Sequence, residues 1–136
     1  MSRSAIYTIN SSVQTVPLNG IIDPGTVIRR FGCNLFLSGN GIREVGEGYY
    51  EYNITVTAAP SAVGVVTITA YKDGVAIPGA TASETVAAAD DLVNLSLDFI
   101  LREPCNCCED GGSSITFVLT GTASNINNIA ITAVKI

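Results

Sequence analysis

Apolar and polar residues alternate with a period of two along most of this chain, the spacing that sends successive side chains to opposite faces of an extended strand. In the stretch 49–57, Tyr50, Tyr52, Ile54 and Val56 share one face while Glu51, Asn53, Thr55 and Thr57 share the other. The pattern returns in Val66, Ile68 and Ala70, in Val93, Leu95, Leu97, Phe99 and Leu101, in Ile115, Phe117 and Leu119, and in Ile129, Ile131 and Ala133. Each of these reads as a half-buried strand. Weaker alternation marks Ala5 to Ile9, the Val27 to Leu37 region, and Gly74 to Ile77 running towards Thr85.

Turn chemistry separates the strands. Asn19-Gly20, Asp23-Pro24-Gly25, Gly39-Asn40-Gly41, Lys72-Asp73-Gly74 and Pro78-Gly79 supply residues that tolerate the positive φ of tight turns, and Asp73-Gly74 between two β runs predicts a hairpin. No stretch keeps a 3.6-residue apolar period with caps. The nearest, Thr85 to Leu92, is a short Ala run ending at the next strand, so the expectation is essentially no helix. About eight strands at intervals of roughly ten residues, punctuated by Gly and Pro, predict an all-β antiparallel sandwich or jelly roll.

A length of 136 residues is that of one domain, read here as 1–136, with residues 1–38 either a first strand pair or an anchoring arm. Only 14% of residues are charged, where about a quarter is usual. A net charge of -5 and a pI of 4.4 argue against a nucleic-acid partner. The chain has no His and no Trp, which removes Ser-His-Asp and Cys-His catalysis, His-ligated metals and aromatic sugar platforms built on Trp. A binding or structural module is expected, not an enzyme. No apolar run of signal-peptide or membrane-span length follows the N-terminus, so folding in the cytosol is the expectation.

The conspicuous chemistry is Cys105-Asn106-Cys107-Cys108, followed by Glu109-Asp110, in the connection between two strong strands. Cys105, Cys107 and Cys108 are candidate ligands for zinc or copper(I). The usual zinc site, however, uses pairs of C-x2-C ligands, and a fourth ligand here has to come from Cys33 or another subunit. A disulfide to Cys33, or a cross-link between equivalent loops of neighbouring subunits, is the second option. The reading adopted is reduced thiols, with no metal and no cofactor. Asp90-Asp91 and Glu109-Asp110 are read as solvated acids rather than a calcium site. Arg29-Arg30 beside Phe31 is either a solvated edge or a dock for a carboxylate of a neighbouring subunit.

Gly48-Tyr49-Tyr50-Glu51-Tyr52 opening a strand, then Tyr71-Lys72-Asp73-Gly74-Val75-Ala76-Ile77-Pro78-Gly79, then a long apolar strand, resembles the trimeric jelly rolls of the tumour-necrosis-factor and complement-collagen superfamily over Gly39 to Ile136. Terminal domains of exosporium collagen-like glycoproteins and phage head-fibre or decoration proteins are the versions it looks like. The resemblance implies an eight- to ten-stranded sandwich assembling as a homotrimer with inner sheets around a threefold axis. It also implies a structural phage virion component, made in the host cytoplasm and contacting capsid or fibre proteins. A spore or cell-surface subunit and a receptor- or glycan-binding module of a virion are the alternatives; neither nucleic acid nor membrane is expected as a partner.

Side-chain pattern supports self-association separately. Tyr49, Asn53, Ile100, Val134 and Ile136 lie on the face opposite the expected core, where a monomer would favour Lys and Glu, and they are the predicted interface residues.

Overall fold

The computed structural model describes residues 3–103 and 112–136. Eleven strands run through them: β1 (Ala5–Asn10), β2 (Gln14–Val16), β3 (Thr26–Phe31), β4 (Leu35–Ser38), β5 (Gly41–Glu44), β6 (Gly48–Pro60), β7 (Gly64–Lys72), β8 (Val75–Val86), β9 (Val93–Glu103), β10 (Ser113–Thr120) and β11 (Ser124–Lys135). One sheet has the order β3-β1-β11-β6-β9, with β2 also paired to β11, and the other has the order β4-β5-β10-β7-β8. All pairings are antiparallel. The chain crosses repeatedly between the sheets, so β6 lies between β9 and β11 while β7, β8 and β10 belong to the opposite layer. This is the jelly-roll sandwich that the alternation predicts, and none of the described residues is helical.

Parity determines the core. Tyr50, Tyr52, Ile54 and Val56 of β6 are buried, as are Ile129, Ile131 and Ala133 of β11 and Leu95, Leu97 and Leu101 of β9. They face Val66, Ile68 and Ala70 of β7 and Ile115, Phe117 and Leu119 of β10 across the sandwich. Each of these side chains is among those the two-residue period sends inward. Burying a side chain of this size contributes about 1.5–3 kcal/mol, which is why a one-residue slip in any strand is strongly disfavoured.

Three details differ from the sequence reading. The Val27 to Leu37 region is two strands in different sheets, not one, because the chain turns at Gly32. Gly32 has φ +83°, and a Cβ there would run into the Ser4 side chain and the Arg3 carbonyl. Pro78-Gly79 is not a turn but an irregularity inside β8: the β7–β8 register shifts between Thr69 and Tyr71, and Gly79 takes φ +80°. An end strand tolerates this, since its missing N–H leaves no ladder bond unmade. The short strands β2 and β5 are too brief to show an alternation of their own. Asp73-Gly74 is the predicted hairpin turn, with φ of 51° and 85° at its two residues.

Candidate functional site

The β3-β1-β11-β6-β9 sheet has one face in the core and one uncovered. Register arranges the uncovered side chains in rows. Phe31, Ala5, Val134, Glu51 and Ile100 stand side by side across all five strands. Two residues along each strand lies a second row, Arg29, Tyr7, Thr132, Asn53 and Asp98. Tyr49 stands opposite Arg102 on β9, and its carbonyl accepts a 2.9 Å hydrogen bond from the Ile136 amide.

The five residues read from the sequence as an interface therefore share this face. Ile100 is 60% exposed, Ile136 66% and Tyr49 53%, with Val134 at 36% and Asn53 also exposed. Sequence reasoning missed two aromatic members, Phe31 and Tyr7, which are exposed at 57% and 40%. For Tyr7 the signal was present as the outward parity of its strand; for Phe31 there was none, because β3 is exposed along its whole length and shows no periodicity to read. Six exposed large apolar side chains thus share this one sheet face, a grouping that suits a contact surface.

At the β3 end of this face an apolar cavity of about 120 Å³ is lined by Ala5, Ile6, Tyr7, Arg29, Arg30, Phe31 and Thr132. Arg30 does not reach outward for a carboxylate. Its guanidinium lies 4.3 Å from the centre of the Phe36 ring and donates a 2.6 Å hydrogen bond to the Leu35 carbonyl, tying β3 to β4. Arg29 keeps its place in the exposed row and makes no ion pair among the described residues.

A second cluster, absent from the sequence reading, is inside the sandwich where β5, β9 and β10 end. Glu44 and Glu103 are both buried. The Tyr52 hydroxyl donates to Glu44 Oε1 at 2.7 Å, Ser113 Oγ donates to Glu103 Oε2 at 3.1 Å, and Lys72 Nζ lies 3.7 Å from Glu103 Oε1. Glu44 Oε2 and Glu103 Oε1 have no other hydrogen-bond donor among the described residues. The Glu44 carboxyl is pushed up to about 7, first by burial and then by the neighbouring Glu103 carboxyl, against the opposing pull of Tyr52 and Lys72. Both carboxyls ionised would place like charges side by side in the core, which favours keeping the proton on Glu44. Burial pushes the Tyr50 hydroxyl up to about 12, with the charges of Glu44 and Glu103 adding to it, and that hydroxyl donates to the Val45 and Gly46 carbonyls.

The described residues bring none of the remaining sequence candidates together. Cys33 is an exposed free thiol. Cys105, Cys107, Cys108, Glu109 and Asp110 lie outside the described residues. Asp90 and Asp91 are exposed in the turn after β8, where the Asp90 amide donates to the Pro60 carbonyl. No group of three metal-ligating side chains occurs among the described residues.

No protein-family model matches the chain, and no curated protein matches it in sequence. Solved structures do match in shape. Murine APRIL at pH 5.0 superposes with a TM-score of 0.73 at 11% identity, over 98% of this chain and 99% of that one. The globular domain of the zebrafish complement 1qA protein gives 0.65 at 7% identity, over 95% and 94%. The PRD1 vertex protein P5 gives 0.58 at 17% identity, over 98% and 96%. Strand order, layer arrangement and these superpositions agree that the chain has the jelly-roll fold shared by tumour-necrosis-factor-like and complement 1q-like domains.

Proposed function

We propose that this chain is a non-enzymatic structural protein that works as a homotrimer, as a capsid decoration or a head or tail fibre component of a phage particle. The observation that carries the reading is the uncovered face of the β3-β1-β11-β6-β9 sheet, with Tyr7, Phe31, Tyr49, Ile100, Val134 and Ile136 exposed on it. Placed around a threefold axis, that face is removed from water and the opposite sheet, with its Thr67–Ser83 and Thr69–Thr81 hydroxyl pairs, stays solvated. The fold likeness to a vertex protein supports a place on a particle, and the sparse charge suits a part that acts by shape and buried area.

Light scattering on the purified protein, with and without reductant, tests the assembly. A mass three times 14.1 kDa in both conditions is expected, with the cysteines incidental. A mass of 14.1 kDa overturns the homotrimer as a free species. The site of action is tested by mass spectrometry of density-purified particles from a culture that makes the chain. Its presence in stoichiometric amount in phage particles supports the reading, while recovery with spores or cell envelopes alone replaces it with the surface-subunit role.

A further inference from the structure

The two end strands of the uncovered face carry complementary features at the same height. On β9, Ile100 projects into solvent, and Asp98 lies two residues away. At the other end, the cavity beside β3 is flanked by Phe31, which is in the Ile100 row, and by Tyr7 and Arg29, which are in the Asp98 row. One end therefore offers an apolar knob and an anion, and the other an apolar hollow and a cation. Arg29 and Asp98 are both exposed, and neither makes an ion pair within the described residues.

A closed ring is built from heterologous contacts, in which one patch of each subunit meets a different patch of the next. If strands run along the rotation axis, a row perpendicular to them stays at one height around the ring. The β9 end of one copy then meets the β3 end of its neighbour at the same level, without any axial offset.

We infer that the occupant of the β3-side cavity is Ile100 of a second copy of this chain, with Asp98 of that copy paired to Arg29. This rests on the homotrimer reading above and specifies which surfaces make it. The apolar contact supplies the buried centre of the interface. The charge pair fixes the register and opposes back-to-back pairing of two β9 ends, which would set Asp98 against Asp98.

The test is a charge swap read by light scattering over a dilution series at low salt. Arg29→Asp and Asp98→Arg each place like charges across the contact, so each is expected to shift dissociation to protein concentrations at least ~10-fold higher. The double variant restores the opposite pair and is expected to return to within about threefold of the parent. A parent mass of three subunits with dissociation unchanged by either reversal overturns the Arg29–Asp98 pairing and leaves the homotrimer standing. A parent mass of one subunit overturns the homotrimer itself. Should either single variant fail to fold, the double variant with Phe31→Cys and Ile100→Cys pairs provides the second reading. Oxidation of the Cys pair is expected to link separate chains on a non-reducing gel, beyond any linkage seen with either Cys substitution alone. Absence of that extra linkage overturns the proposed docking.

Discussion

The Tyr52 and Phe99 rings lie nearly parallel on adjacent strands, their centres 5.1 Å apart and their planes 11° from coincidence. The pairing follows from register, since Tyr52 of β6 stands directly opposite Phe99 of β9. The same tyrosine holds Glu44 through its hydroxyl, so one side chain joins the apolar core to the buried acid pair. Phe99→Ala removes the stacked, partly buried ring and is expected to cost roughly 2–3 kcal/mol. Tyr52→Phe keeps the ring and deletes only the donor to Glu44, with an expected cost of about 1–2 kcal/mol. Denaturant unfolding at one fixed protein concentration checks both, and equal costs for the two would contradict this division of labour.

Stability is expected to depend on pH through Glu44. Its carboxyl titrates near 4.5 in an unfolded chain and at about 7 in the folded one, so the folded state binds the proton more tightly. The stabilisation is complete below 4.5, declines by on the order of 1 kcal/mol per pH unit as pH rises, and is exhausted beyond about 7. The thermal midpoint should therefore fall between mild acid and neutrality. Glu44→Gln, which removes the titrating carboxyl, is expected to flatten that decline. A parent curve that is level or rises over the same window would rule out a protonated Glu44 in the folded core.

Two glycines with nearly the same backbone angle should respond differently to substitution. Gly74 in the β7–β8 turn has φ +85° and open space around a built Cβ, so Gly74→Ala bears only the backbone penalty, about 1 kcal/mol. Gly121 has φ +88°, and its Cβ would collide with the Val65 carbonyl oxygen. Gly121→Ala must displace β7 backbone as well and is expected to cost more, about 3 kcal/mol. Thermal melts of the two variants, run side by side, give the ordering.

Arg30 is expected to act within the subunit. Arg30→Ala removes its contact with the Phe36 ring and its hydrogen bond to the Leu35 carbonyl, for a loss of about 1–2 kcal/mol in stability. Arg30 also lines the β3-side cavity, so light scattering should show the oligomeric mass retained, with any weakening smaller than that of Arg29→Asp. A variant of full stability but lower mass would instead assign Arg30 to the interface.

The strong strands were legible because their alternation is local and complete: Tyr50 to Val56 and Leu95 to Leu101 declare both the strand and its buried face. The same parity also pointed to Glu103, which continues the inward set of β9 after Leu101, whereas Glu44 ends β5, a strand too short to show a parity. Charge masked the signal, because a carboxylate at a strand end normally reads as solvated. Only its partners make inward placement tolerable, and those partners come from β6, β7 and β10.

Local pattern thus determined by itself that the chain is all-β, which face of each strong strand is buried, and where the Asp73-Gly74 hairpin turns, because strand parity and turn angles are properties of neighbouring residues. Tertiary structure alone decided that 27–37 divides between two sheets, that Arg30 turns onto Phe36, and that Phe31, Ala5, Val134, Glu51 and Ile100 form a single row. Those relationships join residues as much as 129 positions apart, as in the Ala5–Val134 pair, and depend on which strands become neighbours. Strand order is set by burial summed over both sheets at once, which no window along the chain contains.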